Sequence, residues 1–548
     1  MSFASAQLPE DYAELRALAA ALQHKNLSLQ GELEARDATL KTRDVELQVY
    51  KDEVYAKTLL IEKYKAQLAV LRRARFGRSS EKLDREIEQM ELMLGDLEEG
   101  QAQLAAKREA REGAASLGNA AAPRVSRTEP TRRALPDHLP RERVDHTPDC
   151  TCPSCGGTRL RQIGVDEREV IEYVPSHFKV IVHVRPKLAC RACEAITQVP
   201  MPSLPIVRGL PGPALLAHVI TSKYCDHLPL YRQSEIYARE NVELDRSTLA
   251  QWVGHMAALL MPLADAIAKH VRAGETVHAD DTIVPALDPG RGKTKTGRLW
   301  VALRDESPFG STVPPAVLYQ YAPDRTMERA EALLKGCSGY LHSDAYSGFN
   351  SLYAPDPITG VPRFRAVSCW AHGRRYIYEA HVQGETPVTL GLLQRIGQLF
   401  DIEADIKGQS PEDRRRVRLE HSVPLLEDLK QTFDTTLLRI SGKVKLAEGI
   451  RYITSRWESF TRYTTDGRLE ICNNAVERAI RPLTLGRKNW LFVGSDTGGE
   501  RAALMYTIIQ SAKLNGLDPE AYLRDIISRI ADHPINRIDE LLPWNVRQ

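Results

Sequence analysis

Residues 276–305 read TVHADDTIVPALDPGRGKTKTGRLWVALRD. TVHA has the β-branched character of a short strand, and Asp280 follows it, so its carboxylate emerges at a strand end. A hairpin through KTKTGRLWVALRD comes next, then a strand ending in LYQY at 318–321, then a helix. GYLHSDAYSG (339–348) puts Asp344 at the end of another short strand, and Arg363–Ser368 is strand-like again. These stretches predict a sheet with two aspartates at strand ends. A third acid, Glu477, lies in NNAVERAIRPLTLGRKNWLF (473–492). A helix starting near Asn473 sets Asn473, Glu477 and Arg481 on one face at i, i+4 and i+8.

Carboxylates gathered in this way suit a pair of Mg²⁺ ions, which favour hard oxygen ligands and stabilise both the attacking and the leaving oxygen of a phosphoryl displacement. Arginines beside the acidic helix would engage a phosphate backbone. Plainer roles stand beside this one. Glu477 and Arg481 form a possible helix ion pair worth a few tenths of a kcal/mol. Asp280 and Asp281 suit a turn or a cap, and Asp344 suits an Asx-turn.

The chain has 548 residues, enough for several domains. Hydrophobic residues at 43% exclude wholesale disorder, and 74 basic against 72 acidic residues exclude a uniformly basic coat while leaving room for local basic patches. No run approaches the ~18 apolar residues of a membrane span. The apolar stretch Ala17–Leu22 is too short for a signal peptide. Nine cysteines without a secretory signal point to reduced thiols or metal ligands. The expectation is a cytoplasmic, multi-domain α+β protein.

Leu15 to Leu71 keep one heptad register, with Leu33, Leu40, Leu47, Val54, Ile61 and Leu68 at a and Leu15, Leu22, Leu29 and Leu71 among the d seats. Such a seam predicts a coiled coil, and so a homo-oligomer; Asn26 at an a seat fixes register at some cost in stability. Arg36, Arg43 and Lys57 loosen the d side. A single amphipathic helix packed on its own chain is the alternative. Residues 1–110 are read as these helices and 111–145 as a linker.

Cys152-x-x-Cys155 and Cys190-x-x-Cys193 are two knuckles flanking two strand-like stretches, EREVIEYV and FKVIVHVR. Four thiolates so placed predict a closed, structural Zn²⁺ site in a ribbon over 146–200, with Cys150 and His146 as spare ligands. Cys369-x-x-His372 lacks an obvious second half and reads as an ordinary core or loop pair. Residues 201–270 are helical. Within them, a turn around Val242–Asp245 and Ser247 as N-cap suggest a helix-turn-helix, with Arg246, Thr248 and Gln251 reaching DNA.

The whole set resembles the transposases of the bacterial insertion sequence 66 family, of the aspartate–aspartate–glutamate class. The stretches that carry the resemblance include LRRARFGRSSEKL, CPSCGG with CRAC, KYCDHLPLYRQ, HADDT, GRLWVALRD, SDAYSGF, CWAHGRR and NNAVERAIRPLTLGRKNWLFVGSD. The resemblance implies a ribonuclease-H-like core in two parts, 271–375 and 469–515, split by a helical insertion at 376–468 and followed by a helical tail at 516–548. It implies Asp280, Asp344 and Glu477 as catalytic ligands of Mg²⁺ or Mn²⁺, Asp280 bridging both ions, Asp344 on one and Glu477 on the other. Family members usually carry glutamate where this chain has Asp281, which makes Asp281 a candidate substitute ligand. Arg478, Arg481, Arg487 and Lys488 would contact phosphates near the cut. Trp370 and Trp490 are candidates to stack on flipped bases but are expected in the core, and His372 and Arg374 either touch DNA or, as is expected here, order the end of a strand.

The implied chemistry is cleavage at the ends of an element and transfer of the 3′-hydroxyl to target DNA. Its partners are double-stranded DNA, both terminal inverted repeats and target, and accessory proteins of the same element, with no membrane. A non-catalytic, sequence-specific DNA-binding regulator built on the zinc ribbon is the competing reading.

Overall fold

The computed structural model describes residues 12–75, 81–116, 135–147, 151–174, 177–206, 209–288, 293–357, 359–490 and 493–546. It forms two compact units, 1–74 and 75–548. The described residues of the first lie in one helix, α1 (Tyr12–Arg75). Leu29 and Leu33, neighbouring d and a seats, are 47% and 61% exposed on it.

The second unit opens with α2 (Glu81–Ser116). Strand β1 (Arg141–Asp145) pairs in parallel with β3 (His177–Cys190), and β2 (Leu160–Val174) pairs with β3 along its whole length. The last residues read as linker are therefore part of the ribbon sheet, because Arg141–Asp145 find backbone partners on β3. A two-residue strand, β4 (Ile196–Thr197), completes that sheet. Four helices follow: α3 (Pro213–Tyr224), α4 (Leu230–Ala238), α5 (Arg246–Leu259) and α6 (Met261–Arg272). The ribbon is tied to them by Glu172, whose buried carboxylate accepts the Leu215 N–H at the start of α3.

The main sheet comprises β5 (Thr276–Asp288), β6 (Lys293–Arg304), β7 (Ala316–Ala322), β8 (Gly339–Ser343) and β9 (Phe364–Ser368), ordered β7-β6-β5-β8-β9. The first three strands are antiparallel, and β8 and β9 run parallel to β5. Short helices α7 (Met327–Leu333) and α8 (Asn350–Tyr353) flank β8. Strand β5 is longer than TVHA suggested, since alternating residues through Ala286 bury against the core.

After β9 the chain leaves the sheet for α9 (Trp370–Gln383), α10 (Pro387–Asp405), α11 (Pro411–Val417), α12 (Val423–Arg439), α13 (Lys445–Thr454) and α14 (Trp457–Thr461). These helices bury a core of their own around Trp370, Leu392, Leu429, Phe433, Ile450 and Phe460. The chain then returns through α15 (Asn474–Trp490), α16 (Asp496–Leu514) and α17 (Pro519–Arg529). Helix α16 covers the outer edge of β7: the Val317 and Tyr319 N–H groups donate to the hydroxyls of Ser511 and Thr507, one helical turn apart. An edge strand is thereby satisfied without a further strand.

Candidate functional site

Asp280 lies where the partners of β5 change. On one side β5 pairs with β6 throughout, from His278↔Leu303 to Asp288↔Lys293. On the other, β8 pairs only with Thr276–His278, and the next partner is Val493, joined to Pro285 and Leu287 by backbone bonds of 2.9 Å each. Asp280 sits in the gap between them. Asp344 follows the last residue of β8, and the Tyr346 N–H donates to its Oδ1 at 3.2 Å, so the Asx-turn reading and the strand-end reading both hold. Glu477 is in the first turn of α15. Burial pushes the Asp280 carboxyl up to about 7, reinforced first by Asp344 and then by Asp281 and Glu477, against the Asp281 N–H that donates to Oδ1. Three acids distant in sequence thus share one electrostatic neighbourhood.

Asp281 does not belong to that cluster as a ligand. Adjacent strand residues face opposite sides, and its carboxylate, 2% exposed, pairs with Arg298 at 2.5 Å and Arg325 at 2.8 Å. Arg325 in turn stacks over the Tyr346 ring at 3.8 Å. With both oxygens engaged by guanidinium groups, Asp281 acts as a counter-ion rather than a substitute ligand.

Asn473, expected as the first residue of the helix face, instead precedes the helix and is buried. Its side chain is bound twice to β5: Nδ2 donates to the Ala279 carbonyl at 3.0 Å, and Oδ1 accepts from His278 Nδ1 at 2.9 Å. Its own N–H donates to Cys369 Sγ at 3.1 Å. Cys369 and His372 are what the sequence reading missed. Their second half is Glu477, and one ligand atom from each of the three lies within 4.8 Å of the others. His372 Nδ1 stands 3.6 Å from Glu477 Oε1. Among the described residues Glu477 forms no ion pair with Arg481. The C-x-x-H spacing at the start of a helix was the available signal; its partner sits 105 positions away from His372 and could not be found by spacing.

Arg478 and Arg481 are exposed on α15, whereas the Arg487 guanidinium is spent on the Ile283 carbonyl. The Lys488 side chain lies outside the described residues. Trp370 is buried with its Nε1 donating to the Phe460 carbonyl, and Trp490 packs half-buried on the core, as expected of both. The helix-turn-helix segment departs from expectation at its key residue. Asp245, not Ser247, is the N-cap of α5, and Arg246 is turned into ion pairs with Glu91 at 2.9 Å and Glu98 at 3.1 Å on α2. In this arrangement Arg246 is not open to DNA. Gln251 is exposed and Thr248 half-exposed.

The four knuckle cysteines converge. Cys152 Sγ lies 3.5 Å from Cys193 Sγ, and Cys155 Sγ 3.7 Å from Cys190 Sγ. Tetrahedral Zn–S bonds of ~2.3 Å place sulfurs about 3.8 Å apart, so the donor set fits Zn²⁺ closely. The two knuckles have matching turns. Gly156 and Glu194, each four residues past the first cysteine of its pair, have φ of 70° and 59° and donate back to the carbonyls of Cys152 and Cys190. Backbone N–H groups of Ser154 and Cys155 hold the Cys152 thiol down to about 6, favouring the thiolate a metal needs. His146 is not a spare ligand here: its Nε2 meets His183 Nδ1 at 3.0 Å. Cys150 lies outside the described residues.

Comparison with known proteins agrees with this architecture. The family model described as "Transposase IS66 family" matches residues 208–501, more than half of the chain. Models for the "zinc-finger binding domain of transposase IS66", the "IS66 C-terminal element" and the "Transposase C of IS166 homeodomain" match residues 149–194, 507–544 and 63–144. The chain belongs to the IS66 family of transposases. Its relatives include three uncharacterized proteins of Sinorhizobium fredii (strain NBRC 101917 / NGR234). Protein y4hP is 42% identical over 86% of this chain and 87% of its own length, and y4qI is 36% identical over 99% and 98%. Protein y4jD is 37% identical over 75% of this chain and 81% of its own. Among the described residues no helix is long and apolar enough to cross a membrane.

Proposed function

We propose that this chain cuts DNA at the ends of an insertion sequence and joins the freed 3′-hydroxyls to target DNA, with Asp280, Asp344 and Glu477 as its catalytic carboxylates. The observation that carries the reading is placement: Asp280 stands at the gap in β5, Asp344 just past the end of β8 and Glu477 in the first turn of α15, with Asp344 and Glu477 both near enough to raise the Asp280 carboxyl. Like charges held in a partly buried neighbourhood are unfavourable unless a cation balances them. Oxygen donors alone suit Mg²⁺ or Mn²⁺. When bound, such a pair of ions activates the attacking oxygen and stabilises the leaving one.

The protein's own part is positional. β5 fixes Asp280, the β8 turn fixes Asp344, and Asn473 ties the start of α15, which carries Glu477, to β5 beside Asp280. Arg478 and Arg481, exposed beside Glu477, bind backbone phosphates of the strand being cut. The strand order β7-β6-β5-β8-β9, three antiparallel and two parallel, supports a ribonuclease-H-like core interrupted by the helical insertion. The four cysteines hold a structural Zn²⁺, and the apolar seam through Leu29 and Leu33 pairs α1 with a second copy. The domain boundaries follow, with β1 assigned to the ribbon.

The test is incubation of the purified chain with linear DNA carrying the element's ends, with Mg²⁺ or Mn²⁺. Cleavage that leaves a 3′-hydroxyl at the element boundary supports the account. Specific binding with no cutting under either metal would transfer it to the regulator reading.

A further inference from the structure

A dense set of buried charges lies away from the catalytic acids, between α2 and three other helices. Along α2, Glu91, Asp96, Glu98 and Glu99 turn inward. Opposite them stand Lys223 of α3, Arg246 of α5 and Arg501 of α16. Arg246 takes Glu91 and Glu98, at 2.9 and 3.1 Å. Arg501, fully buried, takes Glu99 at 3.3 Å and the Asp96 carbonyl at 2.7 Å. Lys223 also pairs with Glu99, and the Gly494 N–H donates to the Asp96 carboxylate. Gly254 is required here, since a Cβ would come within 2.2 Å of the Glu99 carbonyl oxygen.

Three lysine or arginine side chains, each from a different helix, and a main-chain N–H form the donor set with which proteins hold a phosphate backbone. A permanent seam between two helices has little use for such a set, because buried ion pairs are seldom more stabilising than apolar packing of the same volume. The seat is also incompletely filled: a cavity borders Asp96, Glu99, Lys223, His227 and Trp490. We propose that Lys223, Arg246 and Arg501 form a binding cleft for the DNA backbone, and that α2 covers it in the free protein, its carboxylates standing in for phosphates. DNA and α2 then compete for the same cations. This rests on the reading of the chain as a DNA-acting protein, and it adds a surface and a mode of control that the catalytic acids do not supply.

The test uses the full chain and a 30-base-pair duplex of unrelated sequence, followed by fluorescence anisotropy at low and high salt. Glu91→Gln with Glu98→Gln releases Arg246 while keeping side-chain size. Affinity should rise about tenfold with a steeper salt dependence, and adding Arg246→Ala should cancel the gain. Unchanged or weaker binding by the double variant, with its thermal melt intact, overturns the proposal. Should the double variant fail to fold, hydrogen exchange on the wild-type chain decides. Saturating duplex should accelerate exchange of α2 amides, and unaltered protection there overturns the proposal as well. Failure of the DNA-acting reading looks different, since the wild-type chain would then neither bind duplex nor cut element ends.

Discussion

The side-chain amide of Asn473 donates to the backbone carbonyl of Ala279 at 3.0 Å. Ala279 is the neighbour of Asp280, and Asn473 immediately precedes the helix that carries Glu477. One hydrogen bond therefore sets the spacing between two acids separated by the whole helical insertion. Replacing Asn473 by alanine leaves the His278 N–H and the Ala279 carbonyl buried without their partner. A loss of about 1–3 kcal/mol in stability follows for each group left unsatisfied. Cleavage should fall further than stability does, because Glu477 is no longer registered on Asp280. Urea unfolding and cleavage rates measured on the same variant check this; equal cleavage rates would show that the bond is only structural.

His372 faces Glu477 across 3.6 Å and touches no other catalytic acid in this arrangement. As a positioning residue it should set how well Glu477 meets a metal. His372→Ala is expected to raise the Mn²⁺ concentration needed for half-maximal cutting while leaving duplex affinity unchanged. His372→Gln, which restores a polar contact, should recover part of the loss. A metal dependence identical to wild type in both variants would remove His372 from the site.

The cysteine geometry predicts one tightly held zinc per chain, measurable by elemental analysis. Cys190→Ser should lose it and lower the melting temperature, because ribbon folding and metal binding are one equilibrium. Purified protein without zinc, melting at the same temperature as the serine variant, would contradict the site.

Within the insertion, Arg418 is fully buried and grips Glu403 through two bonds of 2.7 and 2.6 Å, while also donating to the carbonyls of Tyr463 and Leu469. Arg418→Ala leaves Glu403 only its longer contact with Arg414, at 3.4 Å, and two carbonyls without this donor, and should cost about 3–5 kcal/mol in denaturant unfolding. A loss below ~1 kcal/mol, the range of an exposed pair, would show that water reaches Glu403.

His270 gives a pH dependence. Burial holds its pKa below the usual value, helped by nearby Arg304 and opposed by the Pro314 carbonyl, which Nε2 contacts at 2.9 Å, and by Glu306. The folded chain takes up this proton less readily than the unfolded chain, which protonates the ring near pH ~6.5. The stability it contributes is complete above that pH and is lost as pH falls through it. Melting temperatures from pH 7.5 to 5 should fall more steeply for wild type than for His270→Gln. Parallel curves would contradict the sign.

Much of this was readable from the chain because short motifs report local geometry. The paired C-x-x-C spacing carries its own metal geometry, and the strand end at Asp344 follows from a short run broken by turn residues, whereas Asp280 stands inside β5 and not at its end, because pairing with β6 continues through Asp288. Long-range matters were not readable. That β1 joins the ribbon depends on backbone pairing with β3, which leaves no alternating side-chain pattern in five residues of which four are exposed. That Arg246 turns toward α2 depends on where a distant acidic helix comes to rest, and periodicity alone made Arg246 look free. Cys369 and His372 lacked a second half in sequence because it is supplied across the insertion, by folding.

The most direct test of the central claim compares wild type with Asp344→Ala, Asp280→Asn and Glu477→Gln on end-containing DNA, measuring binding and cutting in the same Mg²⁺ or Mn²⁺ buffer. The account predicts that all three variants bind the duplex as wild type does and that cutting falls to background in each. Wild-type cutting by any one of them would show that the three acids do not act as a single metal-holding set.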